Sequence, residues 1–137
     1  MTLGVSALSP VARAAYQALS DPAFLALSTG GVYDDVPEGA ARPHTVLSVQ
    51  ELDDSPFGAM ALDVLLRVDV YSEYAGSRQA QQILAKAIEL LHHRPLTVEG
   101  FSSVFVTYEG AETWPDQLVG GVRVKLLRGR FRVQVFQ

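Results

Sequence analysis

The sequence predicts an α+β domain, a mainly antiparallel or mixed β-sheet with an N-terminal helix and a long amphipathic helix packed on one face. Three observations predict it. Leu62, Val64, Leu66, Val68 and Val70 alternate with Asp63, Leu65, Arg67, Asp69 and Tyr71, the period-two signature of a half-buried strand. Ala80, Ile83, Leu84, Ala87, Ile88 and Leu91 trace a helical stripe, with Arg78, Gln82, Lys86 and Glu89 mostly outside it. The order helix, strand pair, helix, strands suits helices covering one face of an antiparallel sheet.

The first helix is expected to open at Ser9-Pro10, with serine as the cap and proline at the first helical position. Val11, Ala14, Ala15, Ala18 and Leu19 continue it at helical spacing until Asp21-Pro22 interrupts. Ala23 to Leu27 continues as a short turn, and Ser28-Thr29-Gly30-Gly31 reads as a loop. Thr45 to Leu52 is a strand candidate; Asp53-Asp54-Ser55-Pro56-Phe57-Gly58 is a turn by composition, so the two flanking strands form an antiparallel pair. Ser77 to His92 is the long helix, with His92, His93 and Arg94 as cations at its negative end and Pro95 as its stop. Phe101 to Tyr108 is a further strand, and Gly110 to Gln117, carrying Trp114, reads as a loop.

The last stretch admits two arrangements. A two-residue turn at Arg128-Gly129 would place Val122, Val124, Leu126, Phe131, Val133 and Val135 on one face. Arg123, Lys125, Arg130 and Arg132 would then share the other. The alternative is a bulged single strand running through Gly129.

Composition narrows the class. Residues 1–137 read as one domain, long enough to bury roughly two-thirds of its unfolded surface. The chain is 48% apolar and 19% charged, which argues against disorder because burial can offset chain entropy. No apolar run approaches the ~20 residues of a membrane helix, and no basic n-region precedes an apolar block as a secretory signal requires. The absence of cysteine excludes disulfides and thiolate metal sites.

Nothing points to chemistry. His92 and His93 are neighbours, so a helix turns them about 100° apart and they do not form the i, i+4 chelate of a metal site. His44, beside Pro43, reads as a structural histidine. Asp34-Asp35 and Asp53-Asp54 sit among Pro and Gly, where acids form turns rather than a general acid–base pair. No glycine elbow surrounds a serine and no glycine-rich loop precedes Lys-Ser or Lys-Thr. No enzyme activity, cofactor or metal is expected. Arg123, Lys125, Arg128, Arg130 and Arg132 cluster, but the pI is near 5.2 and no aromatics interleave to stack bases. A solvated or protein-facing surface is expected there, with no specific nucleic-acid partner.

Three short motifs carry a resemblance. They are Gly31-Val32-Tyr33 with Val36-Pro37, Arg42-Pro43-His44 leading into Thr45-Val46-Leu47, and Val68-Asp69-Val70-Tyr71-Ser72 ahead of the long helix. With the surrounding elements they resemble the tail-completion (tail-terminator) family of tailed bacteriophages and phage-derived particles. The match runs from about Pro10 to Tyr108. Two departures stand out: an aromatic is more usual at His44, and the last strands are longer than usual. The resemblance implies a non-enzymatic assembly protein that closes the growing tail tube and faces the head connector or neck, typically as a hexameric ring. Its partners would be itself, the tail tube protein and the connector, at the head–tail junction of a virion assembled in the host cytoplasm, with DNA able to pass through the ring. A head-completion or neck protein, or a small α+β ligand-binding or regulatory dimer, remain as alternatives.

Charge distribution suggests how copies would meet. Residues 1–76 hold ten acids and three bases, whereas residues 77–137 hold five acids and eight bases. Such polarity fits a heterologous head-to-tail contact, or merely two solvated faces that differ. On the first view Arg123, Lys125, Arg130 and Arg132 meet Asp34, Asp35, Glu38 or Asp63 of the next subunit. The turn holding Asp53, Asp54 and Phe57 is the expected partner-binding tip.

Overall fold

The described residues fold into a five-stranded mixed sheet with three helices, the expected α+β class. The computed structural model describes residues 6–53, 55–57 and 61–136, so Asp54 and Gly58 of the expected partner-binding turn lie outside the described residues.

Helix α1 spans Leu8–Leu19 and begins before the expected Ser9-Pro10 start. Its N-cap is Ala7, which offers no side-chain cap bond, and the Leu8 N–H donates to Ser6 Oγ at 3.2 Å just ahead of it. Pro10 sits within the first turn, where a missing N–H costs no helical bond. Asp21 caps α2 (Pro22–Leu27), accepting the Ala23 N–H at 2.8 Å, with Pro22 in the first turn. Strand β1 (Val32–Tyr33) runs parallel to β2 (His44–Leu52), which pairs antiparallel with β3 (Ala61–Ser72). Helix α3 (Arg78–Leu91) then leads to β4 (Ser103–Val119) and β5 (Val122–Phe136).

The strand order β1-β2-β3-β5-β4 puts β5 between β3 and β4. Both neighbours are antiparallel to β5, so β3 and β4 run parallel and α3 is the crossover between them. Helix α1 packs on β2 and α3 on β3 and β5, while the two helices touch each other. Between helices and sheet lie the fully buried Val11, Leu19, Phe24, Val64, Leu66, Val68, Ile83, Leu91, Phe131 and Val133. The alternation of β3 is borne out: Val64, Leu66, Val68 and Val70 are all buried.

The two-residue turn at Arg128-Gly129 is not formed. Strand β5 runs unbroken through Gly129, which pairs with Val68 on one side and Ala111 on the other. A Cβ at Gly129 would stand 2.5 Å from Leu84 Cδ1, so this glycine lets α3 sit close on the sheet. The turn lies at Gly120-Gly121, whose φ values of 58° and 82° suit a tight two-residue hairpin. The basic residues therefore divide. Strand parity puts Arg130 and Arg132 on the helix-free face, and Arg123 and Lys125 on the opposite one.

The expected Gly110–Gln117 loop is also strand. Strand β4 absorbs Gly110 and Pro115 through register shifts at Tyr108/Gly110 and Trp114/Gln117. It lies at the sheet edge, where proline and bulges interrupt no inner ladder and discourage unwanted pairing.

Candidate subunit and partner interfaces

His44 and His92 are each tied into the fold by a ring-nitrogen hydrogen bond. His44 is buried at the start of β2, with its Nδ1 3.1 Å from the Ala41 carbonyl oxygen and its ring stacked on Tyr71 at 5.1 Å. Burial, chiefly, and the nearby Arg42 charge lower its pKa against the opposing pull of the Ala41 hydrogen bond. Burial and the Asp69 carboxylate likewise raise the pKa of Tyr71.

Because the His44 pKa is lower folded than unfolded, the unfolded chain takes up the proton first on acidification. His44 therefore favours the fold above the unfolded pKa of 6.5, and this contribution is lost as pH falls below it, down to the folded value. Urea midpoints between pH 7.5 and 5 should fall in the wild type. His44→Phe, which keeps an aromatic against Tyr71, should flatten that slope; an unchanged slope would assign the pH dependence elsewhere.

His92 ends α3 differently from the expected helix-end cation. Its Nδ1 accepts the Tyr108 N–H at 2.9 Å, clasping the helix end to β4. His93 takes a left-handed conformation (φ 56°) and donates its N–H to the Val106 carbonyl at 2.9 Å. Among the described residues no three His, Asp or Glu side chains gather at metal-binding distance.

The helix-free sheet face carries a ladder of ion pairs. Arg128 grips Asp69 with two bonds of 2.9 Å and covers the Trp114 ring at 5.2 Å. This bond to Asp69 raises the Arg128 pKa further. Arg130 pairs with Glu112 at 3.2 Å. Arg132 reaches Asp63 at 2.6 Å and Glu109 at 3.2 Å. Asp63, expected to face a neighbouring subunit, is instead an internal acid: its side chain is 0% exposed and held by Arg132 and Gln134. A carboxylate on β3 points into this ladder because the strand alternation that buries Val64 sends Asp63 to the other side, where β5 covers it.

The remaining expected interface residues are at the surface. Asp34, Asp35 and Glu38 are exposed after β1 at one sheet edge, and no ion pair engages them among the described residues. Asp34 shares a hollow of about 340 Å³ with Ser9, Ala12, Arg13, Tyr16 and Leu47. Near the other edge, Arg123 and Lys125 share a single acid, Asp116, at 4.0 and 2.9 Å. Asp53 is exposed. Phe57 is 46% exposed and packs edge-on against Phe136 at 5.1 Å, with the 59%-exposed Phe105 on the same ring at 5.8 Å. Phe57 and Phe105 also line a hollow of about 670 Å³ with His93, Pro95, Val104 and Val106.

Sequence reasoning missed the outer part of the β4–β5 ribbon. Residues 111–123 are all exposed, among them Leu118 at 74%, Val119 and Val122. The signal was present in Leu118-Val119-Gly120-Gly121-Val122, apolar pairs around a Gly-Gly turn, but the competing turn at Arg128-Gly129 drew the hairpin elsewhere.

A family model for tail completion protein gp17 matches residues 13–136. The chain belongs to this family. Membership gives it a structural role in building phage-type particles. Among solved structures, a chain from the virion of a native gene transfer agent particle superposes with TM-score 0.71 at 21% identity, covering 99% of this chain and 100% of that one. A second solved chain shares the fold with TM-score 0.58 at 14% identity, over 94% of this chain and 95% of that one. No curated protein matches the sequence. The fold thus recurs along nearly the whole chain, including the long last strands that the sequence motifs left open.

Proposed function

We propose that this tail completion family member closes the tail tube as a homo-oligomeric, six-membered ring and presents its outer surface to the head connector or neck. The observation that carries this reading is the family match over residues 13–136. Heterologous contacts close such a ring when their rotation is right. Acids without an ion pair among the described residues at one sheet edge (Asp34, Asp35, Glu38) and excess cations near the other (Arg123 and Lys125 around Asp116) support a head-to-tail contact. Arg130 and Arg132 are assigned to the internal ladder rather than to the subunit contact.

Particles made without this protein should contain heads and tails that fail to join, and purified protein should restore joining. Normal joining in its absence would overturn the proposal. Binding to isolated heads and not to tail tubes would instead favour a neck protein.

Asp53 and Phe57 are proposed to contact the tail tube, with Phe57 the apolar anchor beside Phe105. Phe57→Ala removes a half-exposed ring, so the unfolding free energy should change by no more than about 1 kcal/mol. The yield of joined particles should fall several-fold. Joining at the wild-type level would remove Phe57 from the partner surface.

A further inference from the structure

We propose that the outer β4–β5 ribbon is an arm that docks on the next copy of this chain, in the hollow between α1 and the β1–β2 edge. This rests on the ring reading above and identifies the contact that would build it. The last pairing of β3 with β5 is Ser72 with Lys125. Beyond Lys125 the ribbon has only two strands, closed at Gly120-Gly121. A two-stranded ribbon standing alone in water is marginal, and this one exposes Leu118 at 74%, Val119 at 45% and Val122 at 39% at its end. Apolar side chains at the tip of an unsupported ribbon point to a protein surface that covers them.

Charge selects the occupant. At the arm, Arg123 and Lys125 share one carboxylate, Asp116, and the Arg123 side chain remains 76% exposed. At the far sheet edge, Asp34, Asp35 and Glu38 have no ion pair among the described residues. Asp34 borders the hollow lined by Ser9, Ala12, Arg13, Tyr16 and Leu47; Tyr16 is 49% exposed, and Arg13 is paired with Glu99 at 3.3 Å. One end of the molecule therefore offers apolar side chains with surplus positive charge. The other offers a recess of mixed polar and apolar lining, bordered by Asp34 and Arg13, with Asp35 and Glu38 exposed on the segment that follows Asp34. The two surfaces sit on opposite edges of one sheet, so arm to recess between successive copies is a heterologous, head-to-tail contact.

The size of the contact sets its behaviour. A stable pair ordinarily uses about 20–30 residues a side, whereas the exposed ribbon spans only residues 111–123. A single arm contact is weak. Closing a ring gives every subunit two such contacts, and docking on a tube raises the effective concentration of each. Isolated subunits should accordingly remain monomeric at micromolar concentration and join only at high concentration or on the tail tube.

The cysteine-free chain gives a direct test. Full-length protein carrying Leu118→Cys and Val36→Cys together, incorporated into particles, is treated with a short bismaleimide. Covalent ladders reaching the ring number are expected from the double variant, and none from either single variant. Cross-linking of Leu118→Cys alone would show arm tips meeting each other and overturn the proposal. Rings present in the particles without cross-links from the double variant would also overturn it, while leaving the ring reading intact. Absence of rings from tail ends would remove the ring reading itself, and the arm contact with it. As a second measurement, Leu118→Asp with Val119→Asp should leave the melting temperature of the monomer unchanged, because both side chains are exposed. It should lower ring yield at least tenfold; a wild-type yield contradicts the arm contact.

Discussion

Arg132→Met is expected to destabilise the folded chain by about 3–5 kcal/mol, because it strands a buried carboxylate. Asp63 is fully buried, and Arg132 is its charged partner at 2.6 Å. Of its two oxygens, Oδ2 also receives Gln134 at 3.3 Å, while Oδ1 has no hydrogen-bond partner among the described residues. Removing the guanidinium therefore leaves a negative charge supported by one long neutral bond. For a chain of this length the loss corresponds to a melting temperature lower by roughly 10–17 °C. The double variant Asp63→Leu with Arg132→Met should recover most of this, since replacing both members of a buried pair with apolar groups is often neutral or better. Guanidinium denaturation of the four proteins in the cycle measures the coupling. A loss under about 1 kcal/mol for Arg132→Met alone would mean that water or another group already satisfies Asp63. The same geometry rules out charge reversal at Arg132 as a probe of subunit contacts: a glutamate there would face Asp63 and Glu109, and would unfold the subunit before any interface was tested.

Gly30→Ala is expected to cost about 3 kcal/mol or more, from overpacking against backbone rather than from lost flexibility. A Cβ at Gly30 would stand 1.9 Å from the Ala41 carbonyl oxygen and 2.7 Å from that of Pro43. Neither atom can swing aside as a side chain would. The Gly30 N–H donates to the Pro43 carbonyl at 2.7 Å, and its own carbonyl accepts the Tyr33 hydroxyl at 2.5 Å. Moving Gly30 away would break this lattice, which brings β1 against β2 and holds the segment bearing Asp34, Asp35 and Glu38. Thermal melts and amide exchange at Val32 and Thr45 would report it. A variant that melts within about 3 °C of wild type, the equivalent of about 1 kcal/mol, would show that the loop relaxes and that the close approach is dispensable.

Legibility in the sequence followed how local each feature was. Strand β3 and helix α3 could be read because their apolar periodicity spans twelve and fourteen residues and is confined to one element. Asp21-Pro22 was legible as the break that ends the first helix, because a capping acid and a proline act on their own neighbours; the structure adds that they also cap and open α2. The resemblance to tail completion proteins was readable for the same reason, since its motifs are runs of adjacent residues. The candidate interface was readable only as charge composition. Sequence separates Asp34, Asp35 and Glu38 from Arg123 and Lys125, but cannot say which carboxylates face solvent.

By itself, then, the sequence determined the α+β class, the order of the helices and inner strands, and the family, because these depend on local pattern. Only the tertiary structure decided what Arg128-Gly129 does. A dipeptide suited to a tight turn became mid-strand because Leu84 of α3 packs over Gly129 and Asp69 of β3 holds Arg128. The same packing moved the hairpin turn to Gly120-Gly121, carried Gly110–Gln117 into an edge strand, and split the basic residues between two faces. It turned Asp63 from an apparent surface acid into the buried partner of Arg132. Each of these outcomes depends on which strand lies alongside which. That is set by burial of the whole core, a long-range term that no short stretch of sequence contains.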